Sequence, residues 1–107
     1  RLLGIDRKSL WRRLAREKNT MANVWGAVLH AGIAAEQSKT RAAELFTRAG
    51  DAAERAGLRS TEAVARWRAA TLHADEAGLA KAERLLVSIG VRDFERTCTL
   101  LAPMRAG

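Results

Sequence analysis

The side chains best suited to catalysis or metal binding are two histidines, His30 and His73, and one cysteine, Cys98. The histidines are far apart in sequence, and neither belongs to a Cys/His cluster with the spacing of a metal-ligand set. Cys98 falls on an apolar stripe with Phe94 and Leu101, which favours a buried packing role over a nucleophilic one. We therefore predict no catalytic residue, no metal site and no cofactor, and a protein that is not an enzyme.

Positive charge is concentrated at the beginning of the chain. The net charge is +7, and residues 1–18 carry most of it, because they contain seven basic and two acidic side chains. The later residues are nearly balanced. A local excess of this kind indicates an acidic partner, either nucleic acid or an acidic protein surface. The candidate nucleic-acid-binding side chains are Arg7, Lys8, Arg12, Arg13 and Arg16.

Composition favours an all-α fold of one small domain. Alanine and leucine dominate, and there is no strict alternation of Val, Ile and Thr from which strands would form. No apolar run approaches the roughly 20 residues that span a bilayer. Because Cys98 is the only cysteine, no intramolecular disulfide is possible, and we expect a reducing, cytoplasmic location without a membrane.

Apolar spacing, caps and glycines predict five or six short helices in antiparallel pairs, stacked as a small solenoid or an open bundle. Gly4 ends an earlier helix, Asp6 caps the next one, and a break is expected at residues 19–21. The predicted helices cover residues 6–18, 22–36, 38–56, 60–74, about 79–89, and 93 to Pro103, where the last one stops.

The helix at residues 38–56 is the centre of this prediction. Its apolar residues recur every three or four positions, and all but Leu45 and Phe46 are alanine. Such a stripe requires close helical partners, and Gly32 is tolerable inside its own helix if another segment crosses there at short range. The neighbouring stripes are predicted to bury Trp25, Val28, Leu29, Gly32 and Ala35 before it, and Ala63, Val64, Trp67, Ala70, Thr71 and Ala74 after it.

A short internal repeat punctuates the second half of the chain. The run Gly57-Leu58-Arg59-Ser60-x-Glu62 returns as Gly90-Val91-Arg92-Asp93-x-Glu95, with every member 33 residues later. Each copy combines a helix-stopping glycine, an apolar residue, a helix-capping residue (Ser60 or Asp93) and an acid in the first turn. A period of 33 to 34 residues is typical of stacked helix pairs.

These residues resemble the C-terminal tails of large bacterial signalling proteins, in which a serine/threonine kinase or ATPase module is followed by tetratricopeptide-type helical repeats. The resemblance covers about residues 12–105. It is carried by Ala82-Glu83-Arg84-Leu85-Leu86-x-x-x-Gly90-Val91-Arg92-x-x-Glu95-Arg96, by the closing Leu100-Leu101-Ala102-Pro103, and by Ala42, Phe46, Ala49 and Gly32 at the small and large positions of a repeat.

The resemblance implies a scaffold or regulatory module for protein–protein contact within a larger signalling protein. The partner would be a protein, a peptide or another domain of the parent chain, bound in the groove lined by the first helix of each pair, residues 22–36 and 60–74. The candidate groove residues are Asn23, His30, Arg66 and His73. On this interpretation residues 1–18 form a basic helical segment and residues 19–107 form the helical-repeat domain.

A second resemblance covers residues 2–17. The run Leu2-Leu3-Gly4-Ile5-Asp6-Arg7-Lys8-Ser9-Leu10-Trp11-Arg12-Arg13-Leu14 is similar to the turn and recognition helix of the Fis-type helix-turn-helix of enhancer-binding activators. That family implies a transcriptional regulator whose basic helix reads DNA, with Arg7, Lys8, Arg12, Arg13 and Arg16 contacting phosphates and base edges. DNA binding is therefore the alternative function.

Overall fold

The computed structural model describes residues 7–104, and within that range the chain forms five α-helices and no strand. The predicted all-α fold is confirmed. The helices are α1 (Arg7–Ala34), α2 (Lys39–Ala56), α3 (Arg59–His73), α4 (Glu76–Ser88) and α5 (Phe94–Leu101). α2 packs on α1 and α3, and α3 also packs on α4 and α5, so that α3 is central. None of these helices is long and apolar enough to cross a membrane.

α1 is one continuous helix of 28 residues, so the break predicted at residues 19–21 is wrong. Asn19 and Thr20 are weak helix formers, but neither stops a helix, and the Thr20 hydroxyl donates a hydrogen bond to the Arg16 carbonyl oxygen at 2.9 Å within α1. The boundary expected at residue 18 therefore falls inside α1. The predicted stop at Gly4 and cap at Asp6 lie outside the described residues.

α1 is much longer than its partner α2. At 1.5 Å per residue it spans about 42 Å, against about 27 Å for the 18 residues of α2. The end of α2 lies beside residues 13–21 of α1, where Ala56 and Leu58 line a shallow pocket with Arg13, Glu17 and Met21. The first turns of α1 consequently extend beyond α2, and the molecule measures 55 × 29 × 20 Å.

α2 matches the predicted central helix closely. Ser38 is its N-cap, accepting a hydrogen bond from the Arg41 amide at 3.2 Å, and Gly57 ends it in the left-handed conformation at φ 74°. Phe46 is fully buried, and the small residues along the same face are buried with it: Ala42, Ala43, Ala49, Gly50 and Ala53.

The start of α3 differs from the prediction, because Ser60 is exposed and does not cap it. After Gly57, the Leu58 amide donates to the Ala53 carbonyl oxygen at 2.9 Å, and the Leu58 carbonyl oxygen already accepts from the Glu62 amide at 2.9 Å. The left-handed turn thus leads straight into α3, which begins at Arg59.

The two copies of the sequence repeat stop a helix in the same way but start the next one differently. The Val91 amide donates to the Leu86 carbonyl oxygen at 3.0 Å, as Leu58 does to Ala53, and Gly90 is left-handed at φ 91°. Asp93, however, is a true N-cap that accepts from the Arg96 amide at 3.0 Å, as predicted. Counted from the glycine of each copy, α5 therefore begins two residues later than α3.

The core surrounds α3 and consists mainly of small side chains. Close packing of alanines lets the helix backbones approach one another, and burial of this apolar surface is the main driving force for the fold. Cys98 is buried, as predicted. The buried cluster comprises Val28, Ala31, Ala35, Ala42, Phe46, Ala49, Ala63, Val64, Ala65, Ala69, Leu86, Cys98 and Ala102.

Two tryptophans expected in the core are not fully buried. Trp25 is half exposed, as is Leu29, because α2 covers the adjacent arc of α1 that carries Val24 and Val28. Trp67 is partly buried against the core. Its indole Nε1 donates a hydrogen bond of 3.4 Å to Glu83 on α4.

Candidate interaction surfaces

An open cleft of about 790 Å³ lies between α2, α3 and α4. Its floor is formed by small side chains of α3 and α4, and charged side chains rise on both sides. The ionisable side chains that line it are Glu54, Glu62, Arg66, His73, Asp75, Lys81 and Arg84.

Arg66 holds three carboxylates at one end of this cleft. Its guanidinium donates to Glu62 at 3.0 Å along α3, and to Asp51 at 3.1 Å and Glu54 at 3.5 Å on α2. Burial by itself lowers the pKa of the Arg66 guanidinium, but the hydrogen bonds to Glu62 and Asp51 act in the opposite direction, and the net effect raises that pKa. Arg66 therefore stays charged and ties α2 to α3.

The close approach of α2 and α3 at this point depends on Gly50. A Cβ at Gly50 would lie 3.1 Å from Cγ and 3.4 Å from Nη1 of Arg66, so a larger residue would push against the guanidinium. The sequence analysis did not identify Asp51 or Glu54 as partners of Arg66. Only the spacing of Glu62 and Arg66, four residues apart on one helix, could have predicted part of the network.

The opposite side of the cleft carries more basic than acidic groups, with Lys81 and Arg84 on α4, His73 at the end of α3, and one acid, Asp75. The cleft thus offers a carboxylate on the α2 side, where Glu54 remains more than half exposed, and cations on the α4 side. This arrangement can bind a polypeptide segment that carries both charges. Two of the four predicted groove residues, Arg66 and His73, line this cleft.

The groove predicted between residues 22–36 and 60–74 is occupied by the chain's own C-terminal segment. A Cβ at Gly32 on α1 would collide with the Pro103 carbonyl oxygen, and Nε of Arg68 on α3 donates to the Ala102 carbonyl oxygen at 3.0 Å. The other two predicted groove residues, Asn23 and His30, are exposed on α1 and do not line the cleft.

Arg68 is the buried charged side chain of the described core. Burial lowers the pKa of its guanidinium, although Cys98 and Glu95 partly oppose this change. The guanidinium also lies 5.7 Å from the centre of the Trp67 ring, within the range of a cation–π contact. Arg68 therefore holds the C-terminal segment against α3 through its hydrogen bond to the Ala102 carbonyl oxygen.

The predicted nucleic-acid-binding residues all lie on the first three turns of α1. Arg7, Lys8, Arg12, Arg13 and Arg16 are exposed, on or next to the part of the helix that extends beyond α2. Arg7, Lys8 and Arg12 lie on the projecting end itself, whereas Arg13 and Arg16 line the shallow pocket beside the end of α2. Of the preceding helix that a helix-turn-helix requires, the sequence contains only residues 1–3, which lie outside the described residues.

A second exposed feature of α1 is an apolar stripe that the sequence analysis missed. Trp11, Trp25, Leu29 and Ile33 are 70%, 50%, 51% and 54% exposed. The four-residue spacing of Trp25, Leu29 and Ile33 places them on one face. The spacing was visible in the sequence, but nothing local indicates which of two adjacent apolar arcs α2 covers.

Residues 7–104 contain no group of three or more His, Cys, Asp or Glu side chains arranged to hold a metal ion. Comparison of the chain with protein-family models, with curated proteins and with solved structures finds no match in any of the three.

Proposed function

We propose that this chain is a non-enzymatic protein-interaction module that binds a peptide or helix of its partner in the cleft between α2, α3 and α4. The observation that carries the proposal is the open cleft itself, with a carboxylate network held by Arg66 on one side and Lys81 and Arg84 on the other. A ligand segment that presents acidic groups to α4 and basic groups to α2 complements these charges.

The resemblance to helical tails of bacterial signalling proteins supports a scaffold or regulatory role of this module within a larger cytoplasmic polypeptide. In such a role the partner is another protein or another domain of the parent chain. Peptides and helices bind grooves of helical proteins through a few anchor side chains, which suits a cleft of this size.

A peptide library selected against the wild-type chain tests the proposal. The α4 side is changed by Lys81→Glu with Arg84→Glu, and the matched control is Arg92→Glu with Arg96→Glu, since all four side chains are exposed and the second pair lies outside the cleft. We expect selected peptides to lose tenfold or more in affinity for the first variant and to bind the second unchanged. Peptides that bind all three chains equally would refute the proposal.

DNA binding by the first turns of α1 is the second candidate function. It is favoured by one observation, the exposure of Arg7, Arg12, Arg13 and Arg16 on or next to the projecting part of the helix. Phosphate contacts predict an affinity for duplex DNA that falls steeply with salt.

The two candidates are separated by a titration with duplex DNA over a salt series. Arg12→Ala with Arg13→Ala should weaken binding and reduce the salt dependence, whereas Arg92→Ala with Arg96→Ala removes the same charge elsewhere and should change neither. Absence of binding at low salt, or equal losses in both variants, would exclude specific use of α1.

A further inference from the structure

We propose that two copies of this chain associate through the exposed apolar stripe of α1, packed antiparallel about a two-fold axis near Ala22. This inference goes beyond the proposed function, since the stripe is separate from the cleft. The stripe consists of exposed residues spaced three or four apart along α1: Trp11, Ala15, Lys18, Ala22, Trp25, Leu29 and Ile33.

The size of the stripe fits a modest dimer interface. With a full area of about 200 Å² for each large side chain, the exposed parts of Trp11, Trp25, Leu29 and Ile33 amount to roughly 450 Å² per chain. A patch of that size is at the level of the largest, often functional, patches on monomers. When the small exposed residues of the stripe are included, the two chains together would bury about 1,000 Å² of surface. This area is the lower limit for a specific interface.

The stripe is complementary to itself when it is reversed. A two-fold axis at Ala22 places Trp11 against Ile33 of the second copy, so the most exposed aromatic side chain meets an aliphatic one. Lys18 lies beside Trp25 of the second copy, where the ammonium can contact the face of the indole. The centre is formed by small residues, and Gly26 is open, because a Cβ there would have no neighbour within 4 Å. The helices can therefore approach closely.

The charge distribution along α1 favours an antiparallel over a parallel arrangement of the two copies. A parallel pair would place the basic residues 7–18 of both chains side by side, which costs repulsion. In the antiparallel pair they face residues 26–37 of the second copy, which contain no basic residue other than His30 and one acidic residue, Glu36. Exposed Glu36, just beyond α1, then falls beside Arg7 of the second copy.

Sedimentation of the full chain from about 1 µM to about 1 mM tests the proposal, because this range covers the weak association typical of interfaces at the lower size limit. The test variant is Ala22→Arg, which places two guanidinium groups at the axis. The matched control is Asn23→Arg, which adds the same side chain to the next exposed position, away from the stripe. We expect at least a tenfold weaker dimer for Ala22→Arg and less than a threefold change for the control. Far-ultraviolet circular dichroism verifies that both variants remain folded.

Oxidative cross-linking tests the register independently. Ala22→Cys should form a disulfide-linked dimer on treatment with diamide, whereas Asn23→Cys should not, and buried Cys98 gives no background in either. A wild-type chain that stays monomeric throughout, a dimer that tolerates Ala22→Arg, or equal cross-linking at both positions would overturn the proposal.

Discussion

Replacement of Gly32 by alanine isolates the contact that closes the groove between α1 and α3. Gly32 lies against the C-terminal segment, and an added Cβ would collide with the Pro103 carbonyl oxygen, lie 3.1 Å from the Pro103 carbonyl carbon and lie 3.6 Å from the Met104 Cα. These neighbours are backbone atoms, which cannot rotate away as the end of a side chain can. Either the segment shifts or α1 moves.

Two opposing terms set the size of the effect. Alanine favours a helix interior by about 1 kcal/mol over glycine. Overpacking of a closed contact costs about 1 to 3 kcal/mol. If the segment detaches, Arg68 also loses its hydrogen bond to the Ala102 carbonyl oxygen, and an unsatisfied buried group adds about 1 to 3 kcal/mol.

Gly26 provides the matched control, because it lies in the same helix and an added Cβ there meets no atom within 4 Å. Gly26→Ala carries the same helix-propensity gain without the collision. We therefore expect Gly32→Ala to be less stable than Gly26→Ala by at least about 1 to 3 kcal/mol, while Gly26→Ala is more stable than the wild type by about 1 kcal/mol.

Urea unfolding followed by far-ultraviolet circular dichroism measures both substitutions, each made in the Ala22→Arg chain and compared with it, so that dimerisation through the stripe does not contribute. Equal stabilisation by the two substitutions would show that the C-terminal segment does not press on Gly32. The occupied groove would then have to be abandoned, and the first helices of each pair would again be available to a partner.

Three further predictions concern single positions. Phe46→Ala should lower the free energy of unfolding by about 3 to 5 kcal/mol, because the ring is fully buried among alanines that cannot fill the cavity; a variant with near wild-type stability in urea would contradict this. Ala74→Gly should raise stability by roughly 0.5 to 1 kcal/mol, because Ala74 ends α3 in the left-handed conformation at φ 55°; a lower midpoint in urea would contradict it. Burial raises the pKa of Cys98 from 9.0 to about 11, so the unfolded thiol ionises first and stability should fall from pH 9 to pH 11; the Cys98→Ala variant should lack this part of the pH dependence.

Much of the fold could be predicted because the signals are local. Gly57 and Gly90 end helices in the left-handed conformation, and Asp93 caps α5 through its own side chain, all within a few residues of the backbone they control. The spacing around Phe46 likewise predicted the buried face of α2, because apolar residues that recur every three or four positions lie on one face of a helix.

The incorrect predictions concern features that depend on contacts between distant parts of the chain. Ser60 has the residue type of an N-cap, but the turn at Gly57 lets α3 begin before it. Trp25 and Val24 lie on adjacent arcs of one helix, and only the position of α2 determines that Val24 is buried and Trp25 half exposed. A break after Lys18 was plausible by composition, yet no residue there prevents the helix from continuing.

The candidate site was predictable only in part for the same reason. Arg66 and His73 share a helix, so their placement on one cleft follows from helical spacing. The filling of the groove beside Gly32 depends on Pro103, far along the sequence, and no local pattern in α1 indicates it. The acidic partners of Arg66 on α2 required knowledge of how α2 and α3 pack.

The two proposed binding surfaces should act independently, which gives a last prediction. The cleft is built from α2, α3 and α4, whereas the stripe lies on the face of α1 that α2 leaves uncovered. Sites with no shared residues usually show additive effects. Ala22→Arg should therefore weaken dimerisation at least tenfold and leave monovalent peptide affinity unchanged, whereas Lys81→Glu with Arg84→Glu should weaken peptide binding and leave the dimer intact. If both variants affected both measurements, the surfaces would be linked through the packing of α1 on α2, and neither could be assigned its own partner.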